Sequence, residues 1–118
     1  MRVLKSLTML VLTSLPAVSL AAGDPAAGQQ KSDQVCAACH GPDGNSPSNQ
    51  FPILAGQYED YLVYALQSYR NGQRKNPVMT GMAQPLTDQE VKDLAAFFAS
   101  QKGLRIELFA AEPLVSDS

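Results

Sequence analysis

Both cysteines and the single histidine of the chain fall within five positions, Cys36-Ala37-Ala38-Cys39-His40. Residues of those types at that spacing suggest a disulfide, a redox dithiol, a zinc site or a covalently attached haem. A Cys36–Cys39 bridge closes too small a loop to restrain much of the unfolded chain. A thioredoxin-like pair needs a βαβ setting, and no strand pattern flanks the motif. A zinc site needs four protein ligands, or three and a water, and two Cys with one His and no second cluster fall short. C-x-x-C-H is the attachment signature of a c-type haem. The two intervening residues let the sulfurs reach vinyl groups on neighbouring pyrroles, and the next residue is directed at the iron. The expectation is one covalent haem c, held by Cys36 and Cys39, with His40 as an iron ligand.

The opposite face of the iron decides the chemistry. An open position permits gas binding or peroxide chemistry, whereas a filled one restricts the centre to electron transfer. There is no second histidine, and a Met/His pair raises the potential of the iron. Met1 and Met9 lie in the N-terminal apolar segment, whereas Met79 and Met82 sit together in NPVMTGMAQPLTDQE. One is expected as the ligand and the other as apolar filler, and spacing does not separate them. A ligand imidazole usually donates its other N–H to a carbonyl. Pro52, in QFPILAGQ, is the candidate for that carbonyl, or it simply punctuates a loop.

The elements that position these groups read as all-α. Asp24-Pro25 is an N-cap with proline at the first helical position, which predicts a helix from about Pro25 to Val35 that delivers Cys36. Residues 41–56 are rich in Gly, Pro, Asn and Ser and read as a loop along one side of the haem. Tyr58, Tyr61, Leu62, Ala65, Leu66 and Tyr69 mark one face of a second helix, ended by Asn71-Gly72. Arg74 to Pro85 reads as a loop, which places both methionines on a strap. Thr87 and Glu90 form a capping box for a third helix, with Val91, Leu94, Ala95 and Phe98 on one face and Gly103 as its stop. That helix should cross the first and close the domain.

The N-terminus reads as a cleaved signal peptide over residues 1–22. Arg2 and Lys5 precede a short apolar run, and Ser19-Leu20-Ala21-Ala22 supplies small residues for cleavage. The run is short for a spanning helix, so a periplasmic product is expected over an uncleaved anchor. Removing Arg2 and Lys5 from nine basic residues leaves seven against eleven acids, a charge of −4. That argues against nucleic acid as a partner, which calls for a basic stripe.

Two stretches, CAACHGPDGNSPSNQFPILAGQ and MTGMAQPLTDQEVKDLAAFFASQKG, carry a resemblance to class I cytochromes c. The chain is most similar there to the N-terminal half of dihaem cytochromes of the c-four type, over about residues 24–103. The resemblance implies a small cytochrome c fold over residues 23–103, three main helices wrapped around one haem. It implies Met79 as the axial ligand, with Met82 as the alternative, and Pro52 as the residue whose carbonyl holds His40. The family carries two haems in one chain, whereas here the segment 104–118, LRIELFAAEPLVSDS, follows the domain. Leu104, Ile106, Leu108 and Phe109 in it are expected to pack on the domain, or to make a weak dimer or subunit contact.

The function expected is a soluble electron carrier and not an enzyme, with no small-molecule substrate. The resemblance implies redox partners: a quinol-oxidising complex on one side and a terminal oxidase or reductase on the other. The alternative is an electron-transfer subunit of a periplasmic dehydrogenase. The uncharged surface near Cys36, Ala37 and Ala38 suits edge-on docking. Arg70, Arg74 and Lys75 form a basic cluster beside the strap, read as a solvated face or as a partner for a haem propionate or an acidic protein.

Overall fold

Helix α1, Pro25–Val35, begins as its cap predicts. The Asp24 carboxylate accepts from the Ala26 N–H at 2.9 Å, and Pro25 takes the first helical position, where no N–H is required. A computed structural model describes residues 21–104 of the chain. Within that range α1 is followed by α2 (Ala37–His40), α3 (Glu59–Arg70), α4 (Pro77–Ala83) and α5 (Asp88–Ser100), with no strand among the described residues. The architecture is all-α, as expected, with α1, α3 and α5 as the main helices. Nearly all of the expected signal peptide lies outside the described residues, as do Ile106, Leu108 and Phe109 of the tail. Leu104 is described and exposed; its backbone N–H donates to the Ala55 carbonyl at 2.9 Å.

The first and last helices cross, and theirs is the most extensive contact between elements. Helix α1 contributes little apolar surface, burying only Gly28 and Ser32. It achieves close approach instead. A Cβ on Gly28 would stand 2.0 Å from the Asp93 carbonyl oxygen and 2.8 Å from the Phe97 Cβ. Only a bare backbone fits there.

Helix α5 starts with the predicted capping box. The Thr87 hydroxyl accepts from the Glu90 N–H at 3.1 Å, and the Glu90 carboxylate accepts from the Thr87 N–H at 2.9 Å. Val91, Leu94, Ala95 and Phe98 are buried as expected, and so are Asp93, Ala96 and Phe97. The burial is wider than one stripe because α5 packs against α1 on one side and α3 on another. Asp93 is tolerated inside because its carboxylate accepts from the Asp24 N–H and from the Gln89 side chain, both at 2.8 Å. With Leu62 of α3 and Leu86, the apolar side chains of α5 form the core.

Helix α3 ends where Asn71-Gly72 predicts, the Asn71 N–H bonding to the Gln67 carbonyl at 2.9 Å. The segment after it departs from the loop expected. Asn76 caps α4, its side-chain oxygen accepting from the N–H groups of Val78 and Met79, both at 3.1 Å, and Pro77 takes the first helical position. Both methionines therefore sit on a short helix. The expected basic cluster also divides. Arg70 donates to the Leu86 carbonyl at 2.9 Å and pairs with Asp88, joining the end of α3 to the start of α5. Lys75 is exposed. Among the described residues, no helix is long and apolar enough to cross a membrane.

Two outcomes follow from this packing. Gly28→Ala gains up to about 1 kcal/mol of helix propensity but forces α1 away from the α5 backbone. We expect a net loss of about 1–3 kcal/mol, as for other overpacked contacts, read by thermal or denaturant unfolding. The second concerns pH. The Lys31 ammonium, 2.7 Å from Glu90, and then the Thr87 backbone N–H hold the Glu90 carboxyl below its ordinary value of 4.5. A carboxyl depressed in the folded state stabilises it above the unfolded pKa, and that contribution fades as pH falls through the folded one. The unfolding temperature should therefore drop on acidification below pH 4.5, with a shallower drop in Glu90→Gln.

Candidate functional site

The motif forms at a junction of two helices. Cys36 closes α1 and opens α2, and the Cys39 and His40 N–H groups both return to its carbonyl, at 3.2 and 3.0 Å. This single helical turn puts residues three and four apart on one side, so Cys36, Cys39 and His40 share a face. Gly41, at φ +82°, ends the turn. His40 is buried, and both cysteines are half-buried free thiols.

Burial dominates the Cys36 thiol and pushes it up to about 11 from 9.0. The Ser32 hydroxyl, one turn earlier, and the Lys31 charge pull it back only slightly. The Ser32 oxygen itself is buried without a partner at full hydrogen-bond geometry. Cys36 thus keeps its proton at neutral pH, and the thiolate needed for disulfide exchange is scarce.

The loop after the motif folds back on itself. The Gly44 carbonyl accepts from the N–H groups of Leu54 and Ala55, at 2.8 and 3.2 Å. The Asp43 carboxylate accepts from the Asn45 side chain and backbone, both at 2.9 Å, and these bonds lower its pKa. The loop is also pinned to the end of α5. The Gly56 N–H bonds to the Phe98 carbonyl, and the Asn45 amide to the Lys102 carbonyl, each at 2.9 Å. Held this way, the Pro52 carbonyl oxygen lies 2.9 Å from Nδ1 of His40. That contact assigns the proton to Nδ1 and leaves Nε2 as a lone-pair donor. The Phe51 ring stands edge-on to the imidazole at 6.2 Å between centroids.

His40 and Cys36 face a cavity of about 190 Å³. Its walls come from the α3 face that the sequence marks, with Tyr61, Leu62, Ala65, Leu66 and Tyr69, and from Leu94, Ala95 and Phe98 of α5. Ile53 and Leu54 of the loop add to it, and Met79 of α4 lies on the same wall. Met82 is outside that lining and is 46 % exposed. Cys39 lies outside it too. A larger, open depression against α5, lined in part by Ala22, Tyr58, Val63 and Ala96, carries no comparable donor set. Among the described residues, no cluster of three or more His, Cys, Asp or Glu could hold a bare metal ion.

These residues fit a haem. An apolar cavity is lined by one imidazole with its second nitrogen engaged, one thioether sulfur and the Cys36 thiol, and the Cys39 thiol lies on the same turn beside it. One feature was missed by sequence reasoning: Asn76, whose cap fixes the backbone of Met79, although Asn76-Pro77 repeats the Asp24-Pro25 pattern. Of the basic cluster that the sequence marked, Arg74 stands on the cavity wall, with Tyr61 and Tyr69.

Comparison with known proteins agrees with this geometry. The cytochrome c family model matches residues 25–102. Cytochrome c4 of Pseudomonas aeruginosa is 52 % identical over 99 residues, covering 83 % of this chain and 49 % of that protein. Cytochrome c-554(548) of Halomonas halodenitrificans is 45 % identical over 84 residues, covering 69 % of this chain and all of that protein. The crystal structure of reduced recombinant cytochrome c4 from Pseudomonas stutzeri superposes with a TM-score of 0.66 at 52 % identity, over 70 % of this chain and 48 % of that one. The chain thus spans about half the length of the cytochromes c4 it matches.

Leu94 belongs both to the core and to the cavity wall and is 1 % exposed. Leu94→Ala should lower unfolding stability by about 2–5 kcal/mol, and Leu94→Met, which nearly conserves volume, by less than about 1.5 kcal/mol. Denaturant unfolding of the two variants side by side measures the difference.

Proposed function

The chain belongs to the cytochrome c family, and on that premise we propose that it is a single-haem electron carrier exported to the periplasm. Cytochromes c bind haem covalently, and one C-x-x-C-H motif provides for one haem c. The match to the whole of cytochrome c-554(548) supports a unit of this size standing alone. The observation that carries the reading is that one apolar cavity brings together the His40 ring, the Cys36 thiol and the Met79 side chain.

When bound, the haem supplies a one-electron iron couple. Cys36 and Cys39 hold it through two thioethers. His40 offers Nε2 to the iron, and the Pro52 carbonyl fixes the ring's tautomer and orientation. Met79 offers its sulfur, and Asn76 holds the backbone N–H groups at that turn. A histidine–methionine pair favours a high potential. Leu62, Leu94 and Phe98 keep water from the centre, which lowers the local dielectric and limits solvent rearrangement on electron transfer. No carboxylate lines the cavity among the described residues, which supports electron transfer over acid–base chemistry. Redox proteins are the partners in this reading, a quinol-oxidising complex as donor and a terminal oxidase or reductase as acceptor. Such encounters are brief and suit a small interface.

Two measurements test it. Mass spectrometry of the exported, matured protein should show the polypeptide plus one haem; a bare polypeptide with two titratable thiols would refute the proposal. In the oxidised protein, the weak sulfur-to-iron charge-transfer band should vanish in Met79→Ala and persist in Met82→Ala. The reverse pattern would move the ligand to Met82. A stoichiometric dehydrogenase retained through purification would replace the free carrier with the subunit reading.

A further inference from the structure

Helix α1 buries two residues, Gly28 and Ser32. The approach of α5 explains Gly28 but not Ser32. Ser32 is 0 % exposed, and its Oγ has no hydrogen-bond partner at full geometry. Among the described residues it is the one buried side-chain oxygen or nitrogen in that condition. A serine inside a helix often bonds back to the carbonyl four residues earlier, here Gly28, and this hydroxyl does not. An unmet buried hydroxyl destabilises the fold, and alanine would fill the same place without that penalty. The oxygen is therefore to be explained by what it faces.

It faces Cys36. The Cys36 N–H bonds to the Ser32 carbonyl at 2.8 Å, and Cys36 keeps right-handed helical backbone angles. Residues four apart share a helix face, and helical side chains lean toward the N-terminus, which brings the Cys36 sulfur back over Ser32. The hydroxyl reaches that sulfur closely enough to pull the thiol down against the upward push of burial, yet short of full hydrogen-bond geometry. Cys36 in turn lines the cavity with His40 and packs against the core. Lys31, which also acts on the thiol, is paired with Glu90.

Haem attachment changes what this sulfur can do. The Cys36 sulfur bonds to the inner carbon of a vinyl group, the vinyl π bond is consumed, and the thiol hydrogen ends on the outer carbon. Nothing is oxidised or reduced overall. A thioether sulfur has lone pairs and no hydrogen, so it can only accept. We propose that Ser32 is a positioning residue whose hydroxyl donates to the Cys36 thioether sulfur, an inference that rests on the proposed function. The bond satisfies the buried oxygen and fixes the rotation of the link. It also points the positive end of the O–H dipole at the haem edge. In a dry interior that dipole is poorly screened, and it favours the reduced iron.

The test compares matured holoprotein with Ser32→Ala and Ser32→Thr. Alanine is the better helix former, so Ser32→Ala should fold and mature. In NMR spectra of the reduced, diamagnetic protein, the Ser32 hydroxyl proton should exchange slowly with solvent. It should show cross-peaks to the Cys36 β protons and to the thioether methine. Spectroelectrochemistry should find the reduction equilibrium of Ser32→Ala shifted towards ferric iron by roughly twofold to fivefold, part of the worth of one neutral hydrogen bond. Ser32→Thr keeps the hydroxyl and should retain most of the wild-type potential.

A hydroxyl proton with cross-peaks to the Gly28 α protons and none to the methine would overturn the proposal, leaving Ser32 bonded back to its own helix. An unchanged potential in Ser32→Ala, with a raised unfolding temperature, would also overturn it and mark the hydroxyl as merely unmet. Equal shifts in Ser32→Ala and Ser32→Thr would assign the effect to packing and overturn it too. If Ser32→Thr does not mature, the wild-type cross-peaks make the same decision. A wild-type product without haem would remove the proposed function itself, whereas a normal wild-type spectrum with an indifferent Ser32 removes this inference alone.

Discussion

The backbone contact between α1 and α5 at Gly28 governs the rest. Helix α1 has too little apolar surface to dock by burial; its contribution is proximity. With no Cβ at Gly28, the Asp93 carbonyl and Phe97 come within reach, and the two helices are held in close contact there. Helix α1 ends at Val35, so the crossing also sets where Cys36 emerges and where the following turn points its imidazole. The Asp93 carboxylate, bonded to the Asp24 N–H, locks the other end of the same helix. Placement of the chemistry is therefore a consequence of helix packing about two turns away.

The second constraint is the loop from Gly41 to Gln57. It has no regular structure of its own, yet most of its turns are closed by hydrogen bonds, and it is tied to α5 at Phe98 and to Lys102 just beyond that helix. A carbonyl on a free loop would wander; the Pro52 carbonyl is held opposite His40. Gly44 permits this by lying against the Phe98 ring at φ +83°, where a Cβ would meet Cδ1 at 2.6 Å. Helix α5 thus anchors α1 on one side and the loop on the other, which is why so many of its residues are buried.

Much of this was legible in the residues, and the reasons differ by element. The Asp24-Pro25 cap, the Thr87–Glu90 box and the Asn71-Gly72 stop are local interactions, and they form where sequence places them. The α3 stripe was correct as a face from Tyr61 onward, where it lines the cavity more than it buries itself, whereas Tyr58 is the exposed N-cap and lines the other depression. Tyr61 is 44 % exposed while Leu62 beside it is buried. Helix α4 was read as a loop because seven residues with a glycine and two flanking prolines show no periodicity; its evidence was the cap at Asn76. Wide burial on α5 was invisible because its second partner, α1, is largely polar. Nor does composition reveal that Arg70, Arg74 and Lys75 have three different surroundings; only the approach of α5 and the ring of Tyr69 separates them.

Arg70 has one more consequence. By joining the end of α3 to Leu86 and Asp88, it draws together the two ends of the segment that carries Met79. The Asp88 side of this clasp is largely in water, where ion pairs contribute little. The same segment is also anchored in the interior, since Ala83 is fully buried and Leu86 belongs to the core. The methionine helix is therefore held twice, by an exposed clasp and by apolar burial, and loss of the clasp alone leaves the second hold in place.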